Sequence, residues 1–150
     1  MSRVSQWTRI DTIFFGVSTK EMDFKIQNLT NNTMLCEKAS LADSFFKRAK
    51  GLMFRKEWDD FDGLLLSPCG SIHTFCMRME IDVCFLDGEQ RILKALASLG
   101  PWQSARGGRE SHATLELPAG TLERTGTRTG DRLVVDRREK KQTPDGSVEG

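Results

Sequence analysis

Apolar residues along this chain recur at every second position or in short unbroken runs, which is the spacing of strands rather than of helices. In Ile81 to Leu86, Ile81, Val83 and Phe85 share one face, while Asp82, Cys84 and Leu86 share the other. Both faces are largely apolar, so the pattern predicts a central strand. Asp87-Gly88 is a turn dipeptide, and Arg91 to Leu96 reads as the returning strand of a hairpin. Leu64-Leu65-Leu66 predicts a short buried strand closed by Pro68 and Gly70. Strands are also predicted at Thr33 to Glu37 after the Asn31-Asn32 turn, and at Thr114 to Leu117 before Pro118-Ala119-Gly120. Turns at Gly126 and Gly130-Asp131 lead into the last one, Leu133 to Val135.

One segment has helical spacing. Asp43 reads as the N-cap of a helix over Ser44 to Lys50, with Phe46 and Ala49 on one face and Gly51 as the stop. Residues 100–112 hold three glycines and no apolar period, which predicts a long loop. Six or so short strands with one helix predict a mainly β (α+β) fold: a small curved sheet or β-barrel with one short α-helix against one side. The ends differ from this middle. Residues 1–28, with Trp7, Ile10, Ile13, Phe14 and Phe15, show no clear period and are expected to be an N-terminal extension. A compact β-rich domain is expected over 29–136, and a disordered tail over the charged stretch 137–150.

Composition narrows the picture. The chain has 150 residues, enough for one domain with a core that needs no staple. Its 22 basic and 21 acidic residues leave a net charge of +1, which offers no overall positive field for a phosphate backbone. Four cysteines are too sparse for a disulfide scaffold. The longest apolar run near the start, Ile13 to Val17 with Asp11 just before it, is too short for a signal peptide or a membrane span. The expectation is a cytoplasmic monomer with reduced thiols.

Five blocks in order then resemble a known family: KGLMFR (Lys50 to Arg55), GLLL (Gly63 to Leu66), SIHTFCMRMEIDVCFLD (Ser71 to Asp87), LELPAGT (Leu115 to Thr121) and GTRTGDRL (Gly126 to Leu133). Residues 29–136 resemble the bacterial and archaeal family catalogued as domain of unknown function 192. The resemblance implies a compact, mainly β single domain and no established activity, substrate or cofactor. It also implies a context, since some members look exported or lie beside secretion and pilus-assembly genes. This chain departs from the exported members in showing no leader, and it carries Glu80 where a small residue or proline is usual before Ile-Asp.

The chemistry-bearing side chains gather between Cys69 and Arg109. Cys69, His73 and Cys76 have the spacing C-x3-H-x2-C, but a structural zinc needs a fourth ligand, and Cys84 or His112 would come from afar. No metal and no cofactor are expected. A thiol nucleophile would pair Cys76 or Cys69 with His73 or His112 as base, and Arg78 would supply the charge that favours a thiolate. Lys47, Arg48, Lys50, Arg55 and Lys56 form a basic cluster beside Leu52, Met53 and Phe54, suited to an anionic ligand or to a solvated face. Trp102, with Arg106 and Arg109, is placed to grip a sugar ring or a partner's surface. The chain therefore reads as a binding or accessory module for a protein or small-molecule ligand. Its expected binding residues are Ser71, His73, Arg78, Trp102, Arg106 and Arg109; the rival reading is a thiol-dependent or hydrolytic enzyme using Cys76 and His73.

Overall fold

The computed structural model describes residues 22–42, 52, 55–58 and 61–139. The helix predicted over Ser44 to Lys50 lies outside the described residues, as do most of the basic cluster around it, residues 1–21 and residues 140–150.

Seven strands form the main sheet: β1 (Met22–Asn28), β2 (Thr33–Ala42), β3 (Gly63–Leu66), β5 (Ile81–Leu86), β6 (Ile92–Leu99), β8 (Ala113–Pro118) and β9 (Leu133–Glu139). Their order across the sheet is β6-β5-β8-β3-β2-β1-β9. All neighbours are antiparallel except β2 and β3, which run parallel. Two three-residue strands, β4 (Ser71–His73) and β7 (Ser104–Arg106), pair separately as a small antiparallel sheet. The described residues contain one helix, α1 (Thr121–Thr125).

The main sheet curls. Its first and last strands meet at one end, where Arg91 bridges Arg132 and the Ile92 amide donates to the Asp131 carbonyl at 2.8 Å. The Leu133 amide likewise donates to Gln90 at 2.9 Å. The result is a half-barrel closed at one corner, the curved mainly β fold predicted above. Closing the corner is the task of the GTRTGDRL block. Gly130 adopts φ 93°, a left-handed conformation that a side chain disfavours. Asp131 Oδ2 then accepts from the Asn28 side chain at 2.9 Å and from the Arg128 amide at 3.0 Å.

Period-two alternation sorts residues onto two cores. Phe24, Ile26, Leu35, Leu65, Cys84, Leu86, Leu115 and Leu117 fill the inside of the curl, with Leu122 of α1 packed among them. The other face of β3 and β5 is also apolar, and Leu64, Leu66, Ile81, Val83 and Phe85 build a second core there. Ile72 of β4 and Met77 complete that second core, and Ala105 of β7 packs against it, so β4 and β7 act as a cover. The central position predicted for Ile81 to Leu86 is observed: β5 lies between β6 and β8, and all six residues are buried.

Several expectations shift. Domain limits of 29 and 136 are too narrow, because β1 begins at Met22 and β9 runs to Glu139, the two pairing along their whole length. Residues 22–28 therefore belong to the sheet rather than to an extension, and residues 137–139 to a strand rather than a tail. The loop expected over 100–112 contains β7. The helix α1 escapes a search for periodicity because five residues are too few to show it. Its amino end is closed from outside the helix: Asp82, on β5, accepts the Leu122 amide at 2.8 Å on one carboxylate oxygen and the Ser98 amide at 2.9 Å on the other.

Candidate functional site

The cover presents a row of rings to solvent. In β4, Ile72 points into the second core, so Ser71 and His73 on either side of it face outward. Register places Arg106 opposite Ser71 and Ser104 opposite His73, which puts all four on the outer face. Phe75 continues the outward alternation beyond His73, and their ring centroids lie 4.9 Å apart, tilted by 31°. Trp102, from the segment just before β7, stacks on Phe75 at 6.0 Å with 27° between the planes. Phe75 is 44 % exposed and Trp102 67 %, which makes them the two most exposed large apolar side chains among the described residues.

Thr74 holds the row together. It is fully buried, and its hydroxyl donates to the Gly100 carbonyl at 2.6 Å while accepting the Gln103 amide at 2.9 Å. Its own amide donates to Gln103 at 2.7 Å, and its carbonyl accepts the amides of Trp102 at 3.0 Å and Met77 at 3.2 Å. Two loops are thereby tied to one buried hydroxyl. Cys76 and Trp102, which flank this knot, both have left-handed backbones, with φ 62° and φ 61°. Such conformations cost of order 1 kcal/mol or more outside glycine and persist only where surrounding bonds impose them.

Of the six expected binding residues, Ser71, His73, Trp102 and Arg106 share this surface. Arg78 and Arg109 are exposed in neighbouring loops. The chain does not continue as a strand past His73: the turn at Cys76 separates Arg78 from it. His112 sits at the other end of the cover, where its carbonyl accepts the Cys69 amide at 3.0 Å and its ring lies beside Gly88. Cys69 donates its thiol to the Ser71 carbonyl at 3.0 Å. Among the described residues no group of three His, Cys, Asp or Glu side chains is placed to hold a metal ion.

The remaining two thiols are core material. Burial, with Asp82 and Asp131 nearby, pushes the Cys84 thiol up to about 12. Burial and then Asp62 push Cys36 further still. Neither supplies a thiolate at neutral pH.

Two features escaped the sequence reading. Phe75 was legible, since it lies two residues beyond His73 in an extended segment. Glu116 was legible too, as a lone acid between Leu115 and Leu117 in a strand whose neighbours are apolar. It lies on the second-core face of β8, between Leu64 of β3 and Val83 of β5. Only 4 % of it is exposed, its Oε2 has no hydrogen-bond partner, and burial lifts its carboxyl to about 8.

By architecture this is a small, mainly β domain: a curled half-barrel beneath a two-stranded cover. The family model for domain of unknown function 192, described as an uncharacterised ACR, matches residues 26–135, and the chain belongs to that family, as its five motif blocks implied. A UPF0127 protein of Pyrococcus furiosus is 32 % identical over 115 residues, covering 73 % of this chain and 97 % of its own length. One from Pyrococcus horikoshii is 33 % identical over 113 residues, covering 72 % and 96 %. A protein of unknown function from Novosphingobium aromaticivorans has a crystal structure that superposes with a TM-score of 0.64 at 22 % identity, over 74 % of this chain and 82 % of that one. No helix among the described residues is long and apolar enough to cross a membrane.

Proposed function

We propose that this protein is a binding module whose ligand lies along the His73-Phe75-Trp102 row on the outer face of β4 and β7. The supporting observation is the exposure of that row beside cations that have no carboxylate partner among the described residues. A soluble domain hides large aromatics unless they meet something, and here two stand in solvent, stacked on each other and fixed by a buried hydroxyl. Arg106 lies on the same outer face, and the Lys94 ammonium donates to the Arg106 carbonyl at 3.5 Å. Among the described residues no carboxylate is recorded within ion-pair distance of either cation; the Arg132–Glu89 pair, at 3.7 Å, lies elsewhere. The ligand it fits offers a flat ring to Trp102 and an anionic or acceptor-rich group to Arg106. An accessory role in secretion or pilus assembly, acting on a partner protein, is the setting in which we place such a surface.

The test is a titration followed by the Trp102 indole resonance. Two probes are used: an acidic peptide containing tyrosine and an acidic oligosaccharide. Binding of at least one is expected to shift that resonance, and Trp102→Ala to weaken it by at least about tenfold, roughly 1.4 kcal/mol. An unmoved resonance with both probes, or unchanged affinity in the variant, counts against the reading.

A further inference from the structure

We infer that the partner is an extended acidic peptide, which adds as a third strand to the outer edge of β7. The choice of occupant rests on the binding reading above; the edge itself is fixed by the backbone. In an antiparallel pair, residues that exchange backbone bonds alternate with residues whose N–H and C=O turn away from the partner strand. Two bonds just beyond the short ladder set that phase. The Gly107 N–H donates to the Gly70 carbonyl at 2.9 Å, and the Thr74 N–H donates to the Gln103 carbonyl at 2.7 Å. Both pairs keep the register of Ile72 with Ala105, two residues to either side of it. Ile72 and Ala105 therefore face each other with their backbone groups, while Ser104 and Arg106 turn theirs outward. The Lys94 ammonium obeys this phase, since it reaches the Arg106 carbonyl at 3.5 Å from outside the pair. So does the Cys69 thiol, which takes the Ser71 carbonyl at 3.0 Å on the outer edge of β4.

The edge of β7 is open. Ser104 and Arg106 are both exposed, and among the described residues the Ser104 N–H and C=O and the Arg106 N–H have no partner. Residues 104 and 106 lie about 7 Å apart along the strand, the repeat at which an added strand would bond. The outer strand β6 of the main sheet offers less. It spends the Ile92 N–H on Asp131, the Ala95 N–H on the Thr129 hydroxyl at 3.2 Å and the Ser98 N–H on Asp82.

Side chains along the edge select the occupant. Arg106 and Lys94 bring two cations to one end, and Trp102, four residues before Arg106, brings a ring to the other. A strand laid beside β7 turns every second side chain to the outer face. Its acid would meet Arg106, and a ring about four residues away would meet Trp102. A second copy of β7 fits worse, because edge-to-edge pairing would set the cations of one copy beside those of the other. An oligosaccharide has no alternating backbone amides to offer.

The test uses the full chain and an acidic peptide whose carboxylate and tyrosine stand four residues apart, followed by amide exchange and by the Trp102 indole resonance. In the free chain the Ala105 amide should be protected, and those of Ser104 and Arg106 should not. Saturating peptide should slow exchange at Ser104 and Arg106 by at least about tenfold. Two analogues of the peptide, methylated on alternate sets of backbone nitrogens, separate an added strand from side-chain docking. The analogue whose methyl groups face β7 should bind at least about tenfold more weakly than the parent, and the other should bind as the parent does. Equal affinity of the two analogues, an indole shift without protection of Ser104 and Arg106, or a response to the acidic oligosaccharide alone would overturn strand addition and leave the binding surface standing. An unmoved indole with unprotected amides overturns both. Protection that grows with chain concentration in the absence of peptide would assign the edge to a second copy and overturn the peptide as its occupant.

Discussion

Glu116 sets the sharpest expectation at the scale of a single side chain. Its carboxyl moves from an ordinary 4.5 to about 8 because folding removes it from water. The folded state therefore holds this proton more tightly than the unfolded chain. Its contribution to stability is complete below about 4.5 and is lost as the pH climbs to about 8, at up to roughly 1.4 kcal/mol per unit. Glu116→Gln keeps the shape and removes the titration, so urea midpoints of the variant should exceed those of the native chain at pH 8.5 by several kcal/mol of equivalent stability. At pH 5 the two should lie close together. Equal midpoints at pH 8.5 would mean that the carboxyl is hydrated in the folded state. The thiols divide just as cleanly. Cys69 and Cys76 are partly exposed, whereas Cys36 and Cys84 are buried. Iodoacetamide should add at most two groups to the folded chain and four in urea, read by intact mass. A third group on the folded chain would contradict the burial of the core pair.

Short elements here are defined by contacts distant in sequence, which is why they were the least legible. β4 and β7 have three residues each and no alternation long enough to count, so residues 100–112, which contain β7, read as loop and β4 is not marked out as a strand. Yet the chemistry they carry was visible: His73, Trp102 and Arg106 were picked out, and only pairing across the cover shows that they meet. The helix α1 is held by Asp82, and nothing in its own five residues announces that carboxylate. Asp82→Asn turns one acceptor oxygen into a donor facing a backbone N–H. The expected cost is about 2 kcal/mol or more in urea unfolding, with early exchange of the Arg124 amide, which bonds Gly120. A second test concerns the fit of the cover. A Cβ on Gly107 would sit 2.5 Å from Phe85 Cβ, an atom that cannot swing aside because Phe85 is fully buried. Gly107→Ala should lift the cover at a cost of about 1–3 kcal/mol, seen as lost protection at Thr74 with β8 unchanged. Full protection at Thr74 in that variant would place the strain elsewhere.

At the scale of the whole molecule, long runs with clear alternation were legible and the margins of the sheet were not. Ile81 to Leu86, Leu64 to Leu66 and Thr114 to Leu117 fell on strands because burial on one or both faces writes itself into residue type. β1 was missed because Asp23, Lys25 and Gln27 dilute the pattern, although Phe24 and Ile26 between them are fully buried. That omission has a measurable consequence. Among the described strands β9 pairs with none other than β1, apart from the corner bridge at Arg132, so removing residues 22–28 strips β9 of its ladder and β2 of one neighbour. It also empties two sites in the first core, where losing one large side chain costs about 3–5 kcal/mol. Two such losses with a seven-residue ladder exceed most of the 5–15 kcal/mol that holds a domain together. A fragment spanning 29–139 should show no cooperative thermal transition by circular dichroism, while one spanning 22–139 should melt as a single unit. A cooperative transition in the shorter fragment would show that the half-barrel closes without its second-to-last strand, and that the first core is less shared between strands than its packing indicates.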